Sequence, residues 1–430
     1  MCKKEVANVV EKLKDVDRNS MEALEAAKEE LFNALLAAKA VEVPSAALRE
    51  ADGLRRRIHN ALEDLKGSIR VFCRIRPINK REKELQDVDV TELVDSMTVN
   101  TQKPSYGSIA NDPEQFNFDA VFKPGTQAEV FDTCKDLVQS ALDGYNVAMF
   151  AYGQTGAGKT FTMYGSGTGA GENAGTAPRT IAELYRLIKQ DEDRVQFTVM
   201  ASMMELYRNE LVDLLVPKST GTSPKRRSQN PGSAALEQKL NVRVDKSGAV
   251  QIEHLREEEC KTAEALSDLL ERGNQMRTVC ATKMNSESSR SHLILIIRVV
   301  GVNKQTEQKL SGKILLCDLA GSERLKKSDV SGDAQKEAIE INKSLTALGD
   351  VMESLVKGAA HVPYKNHKLT QVMSDALGGT SKTLMFVNCS PASSNYEETV
   401  MTLKFATRAK TITNDVKRKM VAKAKPMPKA

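Results

Sequence analysis

Apolar positions divide the chain into two unlike parts. Through residue 66 they recur at steps of three and four. After Pro44, the positions Leu48, Ala51, Arg55, Ile58, Leu62 and Leu65 keep that alternation, which predicts a helix with a heptad seam and Arg55 as its one polar a-type residue. Before Pro44 the seam is rougher: Val10 and Leu13, then Asp17 and Ser20 off the pattern, then Leu24, Ala27, Leu31 and Ala34. Such a seam fits a single amphipathic helix laid on the main body, or a two-stranded coiled coil, which the repeat favours. Two heptads are marginal alone, so a homodimer through residues 1–66 needs more chain or a partner.

Gly67 closes this region and the period changes. Ile69-Arg70-Val71-Phe72-Cys73-Arg74-Ile75 alternates as a strand does, and Pro77 stops it. Apolar runs at Val147–Tyr152, Phe197–Met203, Leu293–Val300, Lys313–Leu319 and Thr383–Asn388 predict buried strands. Helical patterns lie between them at Glu129–Leu142, Pro178–Lys189, Thr262–Arg272 and Ile339–Leu355. Strands alternating with helices predict an α/β domain with a central sheet covered on both faces. Gly165–Thr176 and Pro217–Gly232 are polar loops, the second carrying Lys225-Arg226-Arg227. The expected division is a helical segment over 1–66, a main domain over 67–414, and a basic, disordered tail over 415–430.

Composition narrows the function. A net charge of +5, from 62 basic and 57 acidic residues, does not call for a nucleic-acid partner. Seven scattered cysteines form no C-x-x-C pair, which disfavours structural zinc and a disulfide framework and suits a reducing, cytosolic compartment. No apolar run reaches spanning length, so membrane insertion is not expected, and Met1-Cys2-Lys3-Lys4-Glu5 opens no signal-peptide core.

Three constellations carry chemistry. Gly153-Gln154-Thr155-Gly156-Ala157-Gly158-Lys159-Thr160 matches G-x-x-x-x-G-K-[ST], with a buried strand before it and a helix start after it. Its glycines let backbone amides turn toward one phosphate, Lys159 reaches the β- and γ-phosphates, and the Thr160 hydroxyl can take a Mg²⁺ position. Asp318 ends an apolar strand and opens Asp318-Leu319-Ala320-Gly321-Ser322-Glu323; a carboxylate there holds Mg²⁺ through water in P-loop enzymes. Asn285-Ser286-Glu287-Ser288-Ser289-Arg290-Ser291-His292 is a hydroxyl-dense loop suited to metal and phosphate oxygens, and Arg290 calls for a carboxylate partner, for which Glu323 is the natural choice.

Phe150–Thr160, Asn285–His292, Asp318–Glu323 and Arg74-Ile75-Arg76-Pro77 together resemble the four nucleotide motifs of the kinesin motor domain, in that family's order, with Asn285–His292 as its first switch segment and Asp318–Glu323 as its second. The similarity runs from about Gly67 to about Asn414, through Glu205-Leu206-Tyr207, Ile341–Leu345 and Val362–Thr370. The resemblance implies a P-loop NTPase of the kinesin motor fold, with a central mixed eight-stranded sheet flanked by helices. It implies ATP or ADP with Mg²⁺ as ligands and microtubule-stimulated ATP hydrolysis as the activity. Arg74, Arg76, Pro77 and Phe161 would border the base. Gln154, Thr155, Gly156, Ala157, Gly158, Lys159, Thr160 and Ser288 would hold the nucleotide, and Thr160, Ser289 and, through water, Asp318 the metal. Arg290 and Glu323 would close the site as a salt bridge around the attacking water, with Gly321 sensing the γ-phosphate. Phe161 stands where conventional kinesins have a histidine.

Because tubulin's outer surface is acidic, the resemblance also implies a basic docking face. Its candidates are Lys326 and Lys327 after the second switch motif and Tyr364, Lys365, His367 and Lys368, with Lys225, Arg226 and Arg227 weaker. A helix before the motor domain is the layout of the C-terminal-motor kinesin-14 group, which moves toward microtubule minus ends. Val138–Val147 and Tyr364–Thr370 are similar to the kinesin-like calmodulin-binding proteins of plants and protists. Calmodulin-like regulation through Val416–Ala430 is the weaker expectation, because prolines break that tail. The expected location is the cytoplasm, on the microtubule cytoskeleton and its spindle. Two other readings stand beside the motor: a crosslinking or bundling protein with a degraded nucleotide site, against which the intact motifs argue, and a microtubule depolymeriser, whose Lys-Val-Asp signature is missing near Ser96–Ser108.

Overall fold

The computed structural model describes residues 2–421, apart from 42, 105–111, 167–170, 217–238, 246–248, 285–287, 325–332 and 417–419. Lys225–Arg227, Lys326, Lys327 and most of the tail assigned to a calmodulin-like regulator therefore lie outside the described residues.

The eight strands of the main sheet are β1 (Ile69–Ile75), β2 (Ala120–Phe122), β3 (Asn146–Tyr152), β4 (Val195–Tyr207), β5 (Glu258–Glu259), β6 (His292–Asn303), β7 (Lys309–Asp318) and β8 (Ser381–Cys389). They lie in the order β5-β4-β6-β7-β3-β8-β1-β2, with short strands Glu210–Asp213 on β4 and Met420–Val421 on β7. The sheet is mixed. β1 runs parallel to β8 and β2, and β3 parallel to β7 and β8, while β6 is antiparallel to both β4 and β7. Every residue of β1, β3 and β8 is buried, as expected of strands covered on both faces. Val147, Met149 and Ala151 of β3 face one core; Ala148, Phe150 and Tyr152 face the other.

The first three helices are α1 (Cys2–Leu13), α2 (Met21–Ala40) and α3 (Arg49–Leu65). One face of the sheet is covered by α4 (Asp136–Leu142), α5 (Lys159–Tyr164), α6 (Thr176–Asp191) and α7 (Ala263–Met284), and the other by α8 (Asp333–Val356), α9 (Lys368–Val372) and α10 (Tyr396–Lys410). The helix expected over Glu129–Leu142 is two, broken at Thr133–Lys135 after a short helix at Gln127–Asp132. The helix expected to end at Arg272 runs on to Met284 and reaches the first switch loop.

The N-terminal helices correct the sequence reading. Asp17 and Ser20, the residues off the seam, stand in a turn: Asp17 accepts from the Asn19 amide at 2.9 Å and Ser20 from the Ala23 amide at 3.2 Å. The upstream stretch is therefore two helices. They fold back on α3, so that Leu48, Ala51, Ile58 and Leu62 are buried with Val6, Val10, Leu13, Leu24, Ala27, Leu31, Leu35 and Ala38 of the same chain. The seam that predicts a two-stranded coiled coil is covered internally. Its two exceptions are instructive: Arg55 turns to Asp143, 3.3 Å away on the α/β domain, and Leu65 is 39% exposed.

The outer side of α3 and its neighbours meet the α/β domain through polar groups. Asp143, itself buried, takes Arg55 and Arg56, and His59 Nε2 lies 3.1 Å from Ser140 Oγ. Arg70 bonds Glu63 at 2.9 Å, Lys382 pairs with Asp64 at 3.1 Å, Lys28 with Asp136 at 2.8 Å, and Arg194 with Asp52. At Gly67, φ is +97°, a value that suits glycine, and the chain turns there from α3 into β1. The tail is not wholly a solvated end, because Met420–Val421 pairs with Leu310 and Lys309.

Candidate nucleotide site

β3 lies between β7 and β8 in the middle of the sheet, and the phosphate loop leaves its carboxyl end. That crevice is where open α/β sheets hold ligands. The loop conformation needs glycine: φ is +146° at Gly153, +77° at Gly156 and +100° at Gly158. A Cβ on Gly153 would stand 2.2 Å from the Asn388 carbonyl oxygen, so β8 packs too tightly behind the loop for any side chain.

Lys159 is buried and donates to the Gly153 and Gln154 carbonyls at 2.8 and 3.0 Å, which folds its ammonium into the loop. Burial lowers its pKa, opposed by the charges of Asp318 and Glu323. The Thr160 hydroxyl donates to Asp318 Oδ2 at 2.7 Å, and burial raises the Asp318 pKa. Asp318 Oδ1 is buried without a hydrogen-bond partner. A carboxylate with one oxygen on a hydroxyl and the other open to a donor is suited to a hydrated divalent cation, so the residues present fit Mg²⁺. Among the described residues no group of three or more His, Cys, Asp or Glu side chains converges to hold a metal; the fit is of the P-loop kind, with oxygen donors shared between protein, water and phosphate.

The second switch segment rests against the loop. The Gly321 amide donates to the Ser289 carbonyl at 2.9 Å and the Ser322 amide to the Gly153 carbonyl at 3.1 Å. A Cβ on Gly321 would fall 2.2 Å from Thr155 Oγ1 and 2.3 Å from Glu323 Oε2, so a side chain there would displace the Thr155–Glu323 pair. Glu323 differs from the expectation. Its oxygens accept from the Thr155 amide at 2.7 Å and the Thr155 hydroxyl at 2.5 Å, so among the described contacts it pairs with Thr155 and not with Arg290. The reason is reach: in this conformation the carboxylate lies over the phosphate loop, where a backbone N–H and a hydroxyl meet it together. Ser289 and Arg290 are half-buried, on the short helical turn Ser288–Arg290.

A cavity of about 350 Å³ opens beside the loop, lined by Arg74, Arg76, Pro77, Phe161, Gly158 and Asn388 among others. Arg74 is the floor rather than a free arm. It donates to Gln127 Oε1 at 2.7 Å and Thr162 Oγ1 at 3.0 Å, its guanidinium lies 5.3 Å from the Phe161 ring centroid, and burial lowers its pKa to about 10. Arg76 donates from Nε to the Gly156 carbonyl at 2.7 Å and forks onto Glu82, whose pKa its hydrogen bond lowers. Gln154 Nε2 bonds Asn395 at 2.9 Å.

Sequence reasoning missed several of these partners. Glu82 and Gln127 stand in capping boxes, Asn79–Glu82 and Thr126–Glu129, whose Asn/Thr-x-x-Glu spacing marks the local turn but not the arginines it serves. Arg277, inside α7, is buried and bonds the Ser291 carbonyl and hydroxyl at 3.2 and 3.1 Å, with Glu205 3.4 Å and Asp318 3.8 Å away. Nothing in a helical pattern distinguishes it from a solvated arginine.

The predicted docking loop is only partly a surface. Lys365 is exposed. His367 is buried, accepts from the Leu369 amide at 3.1 Å and caps α9, so it is a structural residue and not a surface contact. Lys368 lies 3.4 Å from Glu210, and the Tyr364 hydroxyl donates to the Leu377 carbonyl.

Known proteins agree with this geometry. The kinesin motor domain, as a family, matches residues 74–412. The kinesin-like protein KIN-14E of Arabidopsis thaliana is 43% identical over 415 residues, covering 96% of this chain and 30% of its own length. KIN-14I of Oryza sativa subsp. japonica is 43% identical over 421 residues, covering 98% of this chain and 31% of its own. The chain thus spans about a third of the length of these curated relatives. A solved structure of a fast kinesin is 36% identical, with a TM-score of 0.73, covering 83% of this chain and 95% of that one. Matched over residues 74–412 by the kinesin motor domain and similar along most of its length to KIN-14E and KIN-14I, the chain belongs to the kinesin family, and these two relatives are kinesin-14 proteins.

Proposed function

We propose that this chain is a microtubule motor that couples ATP hydrolysis to movement toward the minus end. Kinesin motor domains are microtubule-stimulated ATPases that bind ATP or ADP with Mg²⁺. The observation that carries the reading here is the convergence of Lys159, the Thr160–Asp318 pair and Gly321 at the carboxyl end of β3. Direction rests on similarity to kinesin-14 relatives and on a helix that enters the motor domain at β1.

The residues divide the work. Arg74, Arg76, Pro77 and Phe161 form the base cavity. The amides of Gln154–Thr160 and the Lys159 ammonium bind the phosphates and neutralise charge that builds on the γ-phosphoryl group. Thr160, Ser289 and Asp318 would hold Mg²⁺, which when bound supplies further charge neutralisation on the β- and γ-oxygens. Glu323, released from Thr155, would pair with Arg290 and hold the attacking water in line. No described side chain is a strong general base, so positioning and electrostatics supply most of the acceleration. Lys365 supplies a solvent-facing cation for an acidic microtubule surface. A homodimer through residues 1–66 would have to open the internal packing of α1 and α2 on α3.

ATPase assays with and without microtubules, followed by gliding on polarity-marked microtubules, test the reading. A stimulated rate with minus-end gliding is expected; no stimulation defeats the motor, and plus-end gliding defeats the direction.

A further inference from the structure

Behind the nucleotide site lies a buried hydrogen-bond chain that the chemistry above does not use. His292, the first residue of β6, is 3% exposed. Its Nδ1 accepts from the Ala320 amide at 3.0 Å, and its Nε2 lies 2.8 Å from Ser344 Oγ in the middle of α8. The Ser344 hydroxyl lies 2.6 Å from the Ile341 carbonyl. The pattern fixes the tautomer. An amide can only donate, so Nδ1 carries no proton and Nε2–H must donate to Ser344, whose own proton then goes to Ile341. Burial pushes the pKa of His292 down to about 3, which keeps the ring neutral and the chain of donors unidirectional.

The surroundings fix the backbone at His292 and leave its ring to follow its two partners. Its backbone pairs with Leu206 in the sheet, and the preceding Ser291 hydroxyl donates to Glu205 at 2.6 Å while Arg277 holds Ser291 from the other side. Ala320, by contrast, directly precedes Gly321, whose amide is held by Ser289 at 2.9 Å. Two adjacent amides of the second switch segment are therefore tied to the first, one through a carbonyl and one through the imidazole. A shift of Gly321 toward a γ-phosphate must stretch the Ala320–His292 bond. A ring that turns with Ala320 draws Ser344 with it, because the buried Nε2–H left without its acceptor is unfavourable.

We propose that His292 is a positioning residue that couples the phosphate-sensing Ala320–Gly321 segment to α8 through Ser344. This rests on the reading of the chain as a microtubule-stimulated ATPase. The role is transmission, so its loss uncouples stimulation from hydrolysis and leaves the nucleotide cradle intact.

Three variants of the full chain test it. His292→Asn keeps an acceptor near the Nδ1 position for Ala320 but is too short to reach Ser344. Ser344→Ala removes the acceptor on α8 at a site where alanine suits a helix. The third combines both. In each, the ratio of microtubule-stimulated to basal kcat should fall about fivefold or more, the low end for coupled sites, while the basal kcat of the Ser344→Ala chain stays near wild type and its melting temperature falls by a few degrees, because the His292 Nε2–H loses its acceptor. The double variant should lose no more than either single one, because both cut the same link. A wild-type ratio in Ser344→Ala overturns the assignment, as do equal losses of basal and stimulated rates or additive losses in the double variant. A wild-type chain that microtubules fail to stimulate is a separate result: it defeats the proposed function itself.

Discussion

The nucleotide cradle and the N-terminal three-helix packing are both buried, yet they are specified in different ways. In the cradle each position admits one chemistry: a Cβ at Gly153 meets the backbone oxygen of Asn388 at 2.2 Å, and Thr160 bonds the Asp318 carboxylate. In the packing each position asks only for an apolar group of about the right size, and any helix with a matching stripe can cover it. The first kind of site is tied to its partners by direction and distance. The second is tied by area alone, and its partner is whichever apolar surface is nearest in space.

Variants that separate the two regions sharpen this contrast. The largest effect is expected from Lys159→Ala, which should lower ATP turnover by at least about a hundredfold, as loss of a charge-stabilising donor does, without changing the melting of α1–α3. Glu323→Ala should stop turnover while leaving nucleotide affinity, read by a fluorescent ATP analogue, within a few fold of wild type; full turnover would break the assigned role. Leu31→Asp should destabilise the helical packing by about 3 kcal/mol or more. Proteolysis should then cut within residues 14–44, with basal ATPase retained.

A smaller effect follows from pH. Burial lowers the His59 pKa from 6.5 to about 4, so the folded ring stays neutral while the unfolded one takes a proton. Stability at the α3–motor contact is complete above pH 6.5 and declines as pH falls from 6.5 to 4, by about 3 kcal/mol in all. Burial pushes the Glu63 carboxyl up, but Arg70 and Lys66 outweigh it and leave its pKa below 4.5, so its contribution is lost only at more acidic pH. His59→Gln should flatten the slope above pH 4.5 and leave the lower one. The smallest effect belongs to Lys365→Ala, for which about a twofold rise in the microtubule concentration for half-stimulation is expected, together with a weaker salt dependence.

The same contrast explains what could be read from the chain. The phosphate loop and Asp318–Glu323 were legible because their groups are contiguous and the loop's glycines hold positive φ angles that other residues rarely adopt. The central strands were legible because they are apolar on both faces. Arg277 and Glu205 were not, since each looks like an ordinary polar residue until folding brings them to Ser291. His367 read as part of a basic surface because lysines flank it, whereas its ring turns inward to cap α9. The heptad seam was read correctly as a buried stripe, and where the repeat favoured a second chain as its cover this structure has α1 and α2, since spacing reports that a face is apolar and carries no information about which helix meets it. Arg55 was the available hint, because a charged seam position needs a carboxylate, and Asp143 supplies it from the motor body.

The bond between Asn414 and Ser68 has a mechanical consequence. The Asn414 amide donates to Ser68 Oγ at 2.8 Å, while its side chain bonds the Gly378 amide at 2.7 Å and the Ser381 carbonyl at 2.7 Å. The chain therefore enters and leaves the motor domain at one riveted corner. A tension applied to α3 along the axis of β1 reaches an interior strand whose residues Ile69 to Ile75 are registered one by one against β8. Such a load acts on the whole ladder in shear rather than opening it bond by bond from one end. The joint is thus built to carry traction along the strand.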